Sequence, residues 1–116
     1  MSIKISVTAL EASYELLRMT EPFNRWKLPS AERVSFLVNS SKTNAGEFFV
    51  DPAGTPWVAV SQRFHHTLPE LFKTVAHEMC HLRQQVRGDD YTTHGLVFKA
   101  LAKQVCKAHQ FDLGAF

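Results

Sequence analysis

The residues able to do chemistry are concentrated in Thr74-Val75-Ala76-His77-Glu78-Met79-Cys80-His81-Leu82, which reads His-Glu-x-x-His inside a run with helical periodicity. The step from His77 to His81 is about 400° of helix rotation, so both imidazoles leave one face, a turn apart. Glu78 lies roughly 60° round from His81, beside the pair rather than behind it. Two neutral imidazoles and a neighbouring carboxylate are what a catalytic zinc site needs: two ligands, and a base for the water that the metal activates. With six His and seven Glu in 116 residues, an accidental match is expected only about 0.02 times. A surface helix carrying two His by chance is the weaker explanation.

A catalytic zinc normally takes three protein ligands and keeps the fourth position open. His94 follows the Gly88-Asp89-Asp90 turn, at the start of the next helical pattern, and is the leading candidate. Asp89 and Asp90 are poorer oxygen alternatives. His109 is an outsider, since it falls roughly 22 Å further along the same helix and cannot share a metal with His94. No Glu follows Glu78, which removes a downstream glutamate ligand. The longer pattern His-Glu-x-x-His-x-x-Gly-x-x-His fails as well, because Gln84 and Arg87 stand where Gly and His are required.

His77-Glu78-Met79-Cys80-His81, then His94-Gly95-x-x-Phe98-Lys99 after a short gap, resembles the SprT-like metallopeptidase domain of the Spartan-type proteases. The resemblance is specific over about residues 70–100 and architectural before that. It implies a zincin-like fold, with His77, His81 and His94 as zinc ligands and Glu78 as the base. It also implies a substrate class, proteins bound or crosslinked to DNA. Many members continue into a cysteine-rich zinc ribbon or partner-binding tails; the sequence to Phe116 has neither, so the catalytic domain alone is expected.

The elements that must position these residues are legible to different degrees. The metal helix is clearest. Thr67-Leu68-Pro69-Glu70 is a capping box with Pro in the first turn, and Gly88 is a natural C-terminal stop. Between them Leu68, Leu71, Phe72, Val75, Met79, Leu82 and Val86 make an apolar stripe. A last helix is expected over residues 93–109, with Val97, Leu101 and Val105 buried beside Phe98 and Ala102. Gly95 weakens that helix, and close approach to the metal helix is the expected reason for it.

Upstream, residues 6–20 read as a helix with Val7, Leu10, Tyr14 and Leu17 on one stripe and Thr8-x-x-Glu11 as its capping box. Phe23 and Trp26 are expected core anchors. Strands are expected at 33–39, 47–51 and 56–63, the last two forming a hairpin. Residues 40–46 are turn chemistry, Gly46 included. Pro56 suits a strand start or an edge, and residues 57–62 are the expected edge for an extended substrate. His65 and His66 read as polar surface. Tyr91 reads first as surface packing, and it is also the candidate phenol for a developing oxyanion.

Composition bounds the remainder. A chain of 116 residues with 45% hydrophobic content and nine Phe is expected to be one globular domain over 1–116. No apolar run approaches a membrane span, and residues 1–10 lack the pattern of a secretion signal. Cys80 and Cys106 fall among apolar neighbours and read as buried free thiols, consistent with a cytoplasmic setting. The net charge of +2 permits nucleic-acid contact without demanding it. Lys99, Lys103 and Lys107 form one stripe, either a solvated face or a phosphate-tracking surface.

The expectation is therefore an α+β, zincin-like domain: an N-terminal helix, a small three-stranded mainly antiparallel sheet, the metal helix, and a C-terminal supporting helix. Its function would be zinc-dependent hydrolysis of a protein or peptide substrate, with DNA a further partner. A zinc-stabilised binding domain without activity and a zinc hydrolase of a non-peptide substrate are the alternatives.

Overall fold

The computed structural model describes residues 4–65 and 67–116, so the reading of His66 lies outside the described residues. Three α-helices and one three-stranded sheet make a mixed α/β fold: α1 (Val7–Arg18), β1 (Ser35–Asn39), β2 (Gly46–Val50), β3 (Pro56–Ser61), α2 (Leu68–Arg87) and α3 (Leu96–His109). Among the described residues, no helix is long and apolar enough to cross a membrane.

Helix α1 is started by Ser6, whose hydroxyl accepts from the Ala9 N–H at 3.0 Å. The expected Thr8 cap lies inside the helix instead. Leu10, Tyr14 and Leu17 are buried, whereas Val7, in the first turn, is 47% exposed. The Tyr14 hydroxyl donates to the Pro29 carbonyl, and its ring meets Phe36 edge-on at 5.5 Å, which ties α1 to β1. Phe23 and Trp26 are core anchors as expected, buried and edge-to-face at 5.0 Å.

The sheet differs from expectation in its order. β2 and β3 do form an antiparallel hairpin, from Gly46 opposite Val60 to Val50 opposite Pro56. At its turn the Asp51 carboxylate accepts from the Thr55 N–H and the Trp57 indole N–H, both at 3.0 Å. β1, however, pairs parallel to β3, so the order is β1-β3-β2 and the sheet is mixed rather than mainly antiparallel. β3 is thus the central strand and cannot be the substrate edge. Its run Val58-Ala59-Val60-Ser61 is buried throughout, the pattern of a strand covered on both faces. β1 and β2 are the two edges, and along β2 the alternate residues Glu47 and Phe49 are exposed.

Helix α1 packs on β1 and α2, α2 packs on β2 and β3, and α3 packs on α2. Helix α2 begins as the capping box predicts, with Thr67 Oγ1 accepting from the Glu70 N–H, and ends on left-handed Gly88 at φ 79°. Leu71, Val75, Met79 and Leu82 carry the stripe into the core, while Leu68 and Val86 at its ends stay exposed. α3 begins at Leu96, with Gly95 as its N-cap. Its buried face is Phe98, Leu101, Ala102, Val105 and Cys106, whereas Val97 is 40% exposed. Both cysteines are buried free thiols.

Candidate functional site

Helix periodicity presents His77 and His81 on one face of α2, and the segment leading into α3 brings His94 against them. The Nε2 atom of His94 lies 3.2 Å from that of His77 and 3.0 Å from that of His81. Among the described residues these three form the cluster suited to a metal ion. A tetrahedral zinc with Zn–N bonds of 2.0–2.1 Å needs its nitrogens about 3.3 Å apart. The observed spacing is close to that.

Hydrogen bonding on the far side of each ring sets the tautomers. His77 Nδ1 lies 2.7 Å from the main-chain oxygen of Phe116, which can only accept. His81 Nδ1 lies 2.8 Å from Gln84 Oε1. Both Nδ1 atoms therefore donate, and both Nε2 atoms turn lone pairs toward His94. A single His94 proton can satisfy one of them, whereas a cation satisfies all three. Outer partners of this kind orient metal-binding imidazoles and raise their basicity. Burial pushes His77 down to about 4, helped by the neighbouring His81 and His94 charges and opposed by the Phe116 hydrogen bond. His81 moves the same way, again through burial first. Both are neutral at pH 7, the form a metal requires.

Phe98 is the apolar floor of the cluster. Its buried ring lies 4.9 Å from His77, 4.7 Å from His81 and 4.6 Å from His94. Glu78, only 5% exposed, stands beside it. Burial pushes its carboxyl up to about 8, and the negative Glu47 adds to the effect. A cation at the three histidines would reverse that shift.

The cleft over these groups is about 330 Å³, with Glu47, Phe48, Tyr91 and Thr92 on its walls beside the His cluster. Tyr91 meets Phe48 edge-on at 5.5 Å, so it packs and lines the cleft at once. Gly46 sets the distance between β2 and α2. A Cβ there would stand 2.6 Å from Thr74 Cγ2 and 2.8 Å from Glu78 Oε2, so a side chain would displace the carboxylate or the strand.

The other ligand candidates are engaged elsewhere. Asp89 pairs with Arg87 at 3.4 Å, and Asp90 accepts from Thr92 N–H and Oγ1 at 2.9 and 2.6 Å. His109 meets Thr20 Oγ1 at 2.9 Å and lies against Phe23.

Two sequence expectations fail here. His65 is not surface: it is 1% exposed, with Nδ1 2.6 Å from the Ser61 carbonyl and Nε2 2.7 Å from Thr74 Oγ1. It therefore pins the end of β3 to α2 one turn before Glu78. Gly95 is not needed for a close helix approach either, since a Cβ there would meet only Thr93 Oγ1 at an ordinary 3.5 Å.

Gln84, Gly46, Phe116 and His65 are the site-shaping residues that sequence reasoning does not identify. Only Gln84 carries a usable signal, because three residues after His81 on a helix is within side-chain reach.

A model of the SprT-like family matches residues 14–114. No curated protein and no solved structure matches the chain.

Proposed function

The chain belongs to the SprT-like family, and from that premise we propose that it is a zinc-dependent metallopeptidase. The observation that carries this reading is the convergence of three imidazole nitrogens beside a buried carboxylate, on a cleft bounded by β2, one of the sheet's two edge strands. His77, His81 and His94 would hold the metal, in a zincin-like arrangement within one SprT-like domain. When bound, zinc supplies Lewis acidity to water and to the scissile carbonyl. Glu78 takes the proton of the attacking water and returns it to the leaving amine. The outer edge of β2 receives an extended peptide by strand addition, the role first expected of residues 57–62. Gly46 keeps that edge within reach of Glu78. Tyr91, on the same wall, is the candidate donor to the developing oxyanion.

The substrate class proposed from the family is DNA-associated protein. Lys99, Lys103 and Lys107 are all exposed on α3, a spacing suited to tracking phosphates.

The test pairs zinc content with cleavage of casein, with and without single-stranded DNA. Glu78→Gln is expected to fold and keep one zinc per chain while losing at least about a hundredfold in rate. Undiminished turnover in that variant would sink the mechanism. Stoichiometric zinc with no cleavage of any protein by the wild type would favour a zinc-stabilised binding domain, and hydrolysis restricted to non-peptide esters or amides would favour the third reading.

A further inference from the structure

The cleft continues past Gly46 into a second chamber of about 330 Å³, which shares Gly46, His77 and Glu78 with the first and adds Thr43, Lys73 and Phe116 to its walls. Lys73 stands one turn before His77 on α2, so the two side chains share a face. It is half-buried. The ion pairs given by the described residues join Arg18 to Glu15, Arg25 to Glu21 and Arg87 to Asp89, and none uses Lys73. Among the described residues, Glu78, assigned above as the base, is the one acidic side chain lining this chamber. The chamber on the other side of Gly46 adds Glu47. The two chambers thus flank Gly46 at the start of β2, with Lys73 on the wall of one, Glu47 on the wall of the other, and Glu78 lining both.

We infer that Lys73 makes the chamber beside Phe116 a carboxylate subsite, which takes an acidic side chain or the C-terminal carboxylate of the peptide held along β2. The inference rests on the peptidase reading of the same cleft. An ammonium that is partly shielded from water forms a stronger hydrogen bond to a carboxylate than a fully solvated one does. A single carboxylate also suits the charge pattern better than a nucleic-acid strand. A phosphate track running through both chambers would have to pass Glu78 and Glu47.

The experiment uses the zinc-loaded protein and a neutral fluorogenic peptide. Glu or Gln is substituted in turn at three positions on each side of the scissile bond, and the C-terminus is left free or amidated. At one position, or at the free terminus, the carboxylate is expected to raise kcat/KM about fivefold, the scale of one partly exposed ion pair. Preference for internal Glu identifies a side chain as the ligand; preference for the free terminus identifies the terminal carboxylate. Lys73→Glu should reverse the selectivity toward Lys at the same place, with zinc content unchanged. Absence of any carboxylate preference in the wild type, or a preference that survives Lys73→Glu, overturns the subsite.

If no peptide is cleaved, the peptidase reading fails by itself. The same labelled peptides titrated against zinc-loaded Glu78→Gln protein then decide the subsite: tighter binding of the carboxylate peptide that is lost with Lys73→Glu supports it, and equal binding overturns it. Weakened single-stranded DNA binding in Lys73→Glu, without any peptide preference, would overturn it in favour of a phosphate contact.

Discussion

The two parts of the candidate metal centre are built differently. His77 and His81 stand one turn apart on a 20-residue helix whose inner face is core, and each has its second nitrogen engaged, by Phe116 and Gln84 respectively. His94 is exposed and comes from the segment before α3. That segment is held by Asp90 on Thr92 and by a long 3.4 Å bond from Gln84 to the Thr93 carbonyl. One part is preorganised by buried neighbours, and the other sits at the surface with fewer. The difference separates two kinds of support: α2 keeps His77, His81 and Glu78 in register from the core side, while His94 reaches the same point from the exposed segment before α3.

Removing a ligand probes this comparison most severely. His77→Ala, His81→Ala and His94→Ala should each weaken zinc binding by more than the roughly 10–100-fold that an outer hydrogen-bond partner is worth. Competition against a chelator measures it. Near-normal zinc in His94→Ala, with loss in an Asp89 or Asp90 variant, would mean that the exposed part uses a different ligand.

Gln84→Ala tests the link between the parts, since Gln84 both orients His81 and reaches Thr93. Zinc affinity should fall about 10–100-fold with all three ligands intact. An unchanged affinity would show that helix packing alone orients His81.

The preorganised part should also leave a mark on the pH dependence of metal-free protein. His77, pushed from 6.5 to about 4, binds fewer protons folded than unfolded between those values, so its contribution to stability falls as pH drops from 6.5 through 4. Glu78, raised from 4.5 to about 8, binds more protons folded than unfolded, so its contribution is present below 4.5 and is lost as pH rises through 8. The metal-free Tm should therefore peak between about pH 5 and 6. Glu78→Gln should abolish the alkaline fall and leave the acid one. A thermal scan of chelator-treated protein from acid to alkaline pH is the check, and an alkaline fall that persists in Glu78→Gln would assign it to another group.

The smallest effect is expected at Gly95, the N-cap of α3 next to His94. Gly95→Ala meets no close neighbour and should cost about 1 kcal/mol or less, the scale of a changed N-cap, with zinc affinity intact. Gly46→Ala should slow cleavage, because its Cβ meets Thr74 and Glu78 at under 3 Å. Equal behaviour of the two alanine variants would remove the distinction between a glycine pressed against α2 and one with open space beside it.

Much of this contrast is legible in the amino-acid sequence alone. The His77–Glu78–His81 face, the Thr67 cap, the Gly88 stop and the β2–β3 hairpin all follow from spacings within one element or one turn, where periodicity and turn chemistry act locally. The same reasoning nominates His94 but puts it at the start of a helix rather than in the segment before one, since Gly95 ends the pattern as an N-cap.

The tertiary structure decides what depends on distant partners. Strand order is not readable from the chain, because β1 pairs with β3 across the whole hairpin, and a strand buried on both faces reads the same from either side. Gly46 looks like turn chemistry until α2 comes within 2.6 Å of its missing Cβ. His65 looks like surface until Ser61 and Thr74 take both its nitrogens. The orientation of His77 rests on an oxygen 39 residues away. A sequence specifies donors, acceptors and periodicity; which donor meets which acceptor is settled by long-range packing, where chain separation carries no periodic signal.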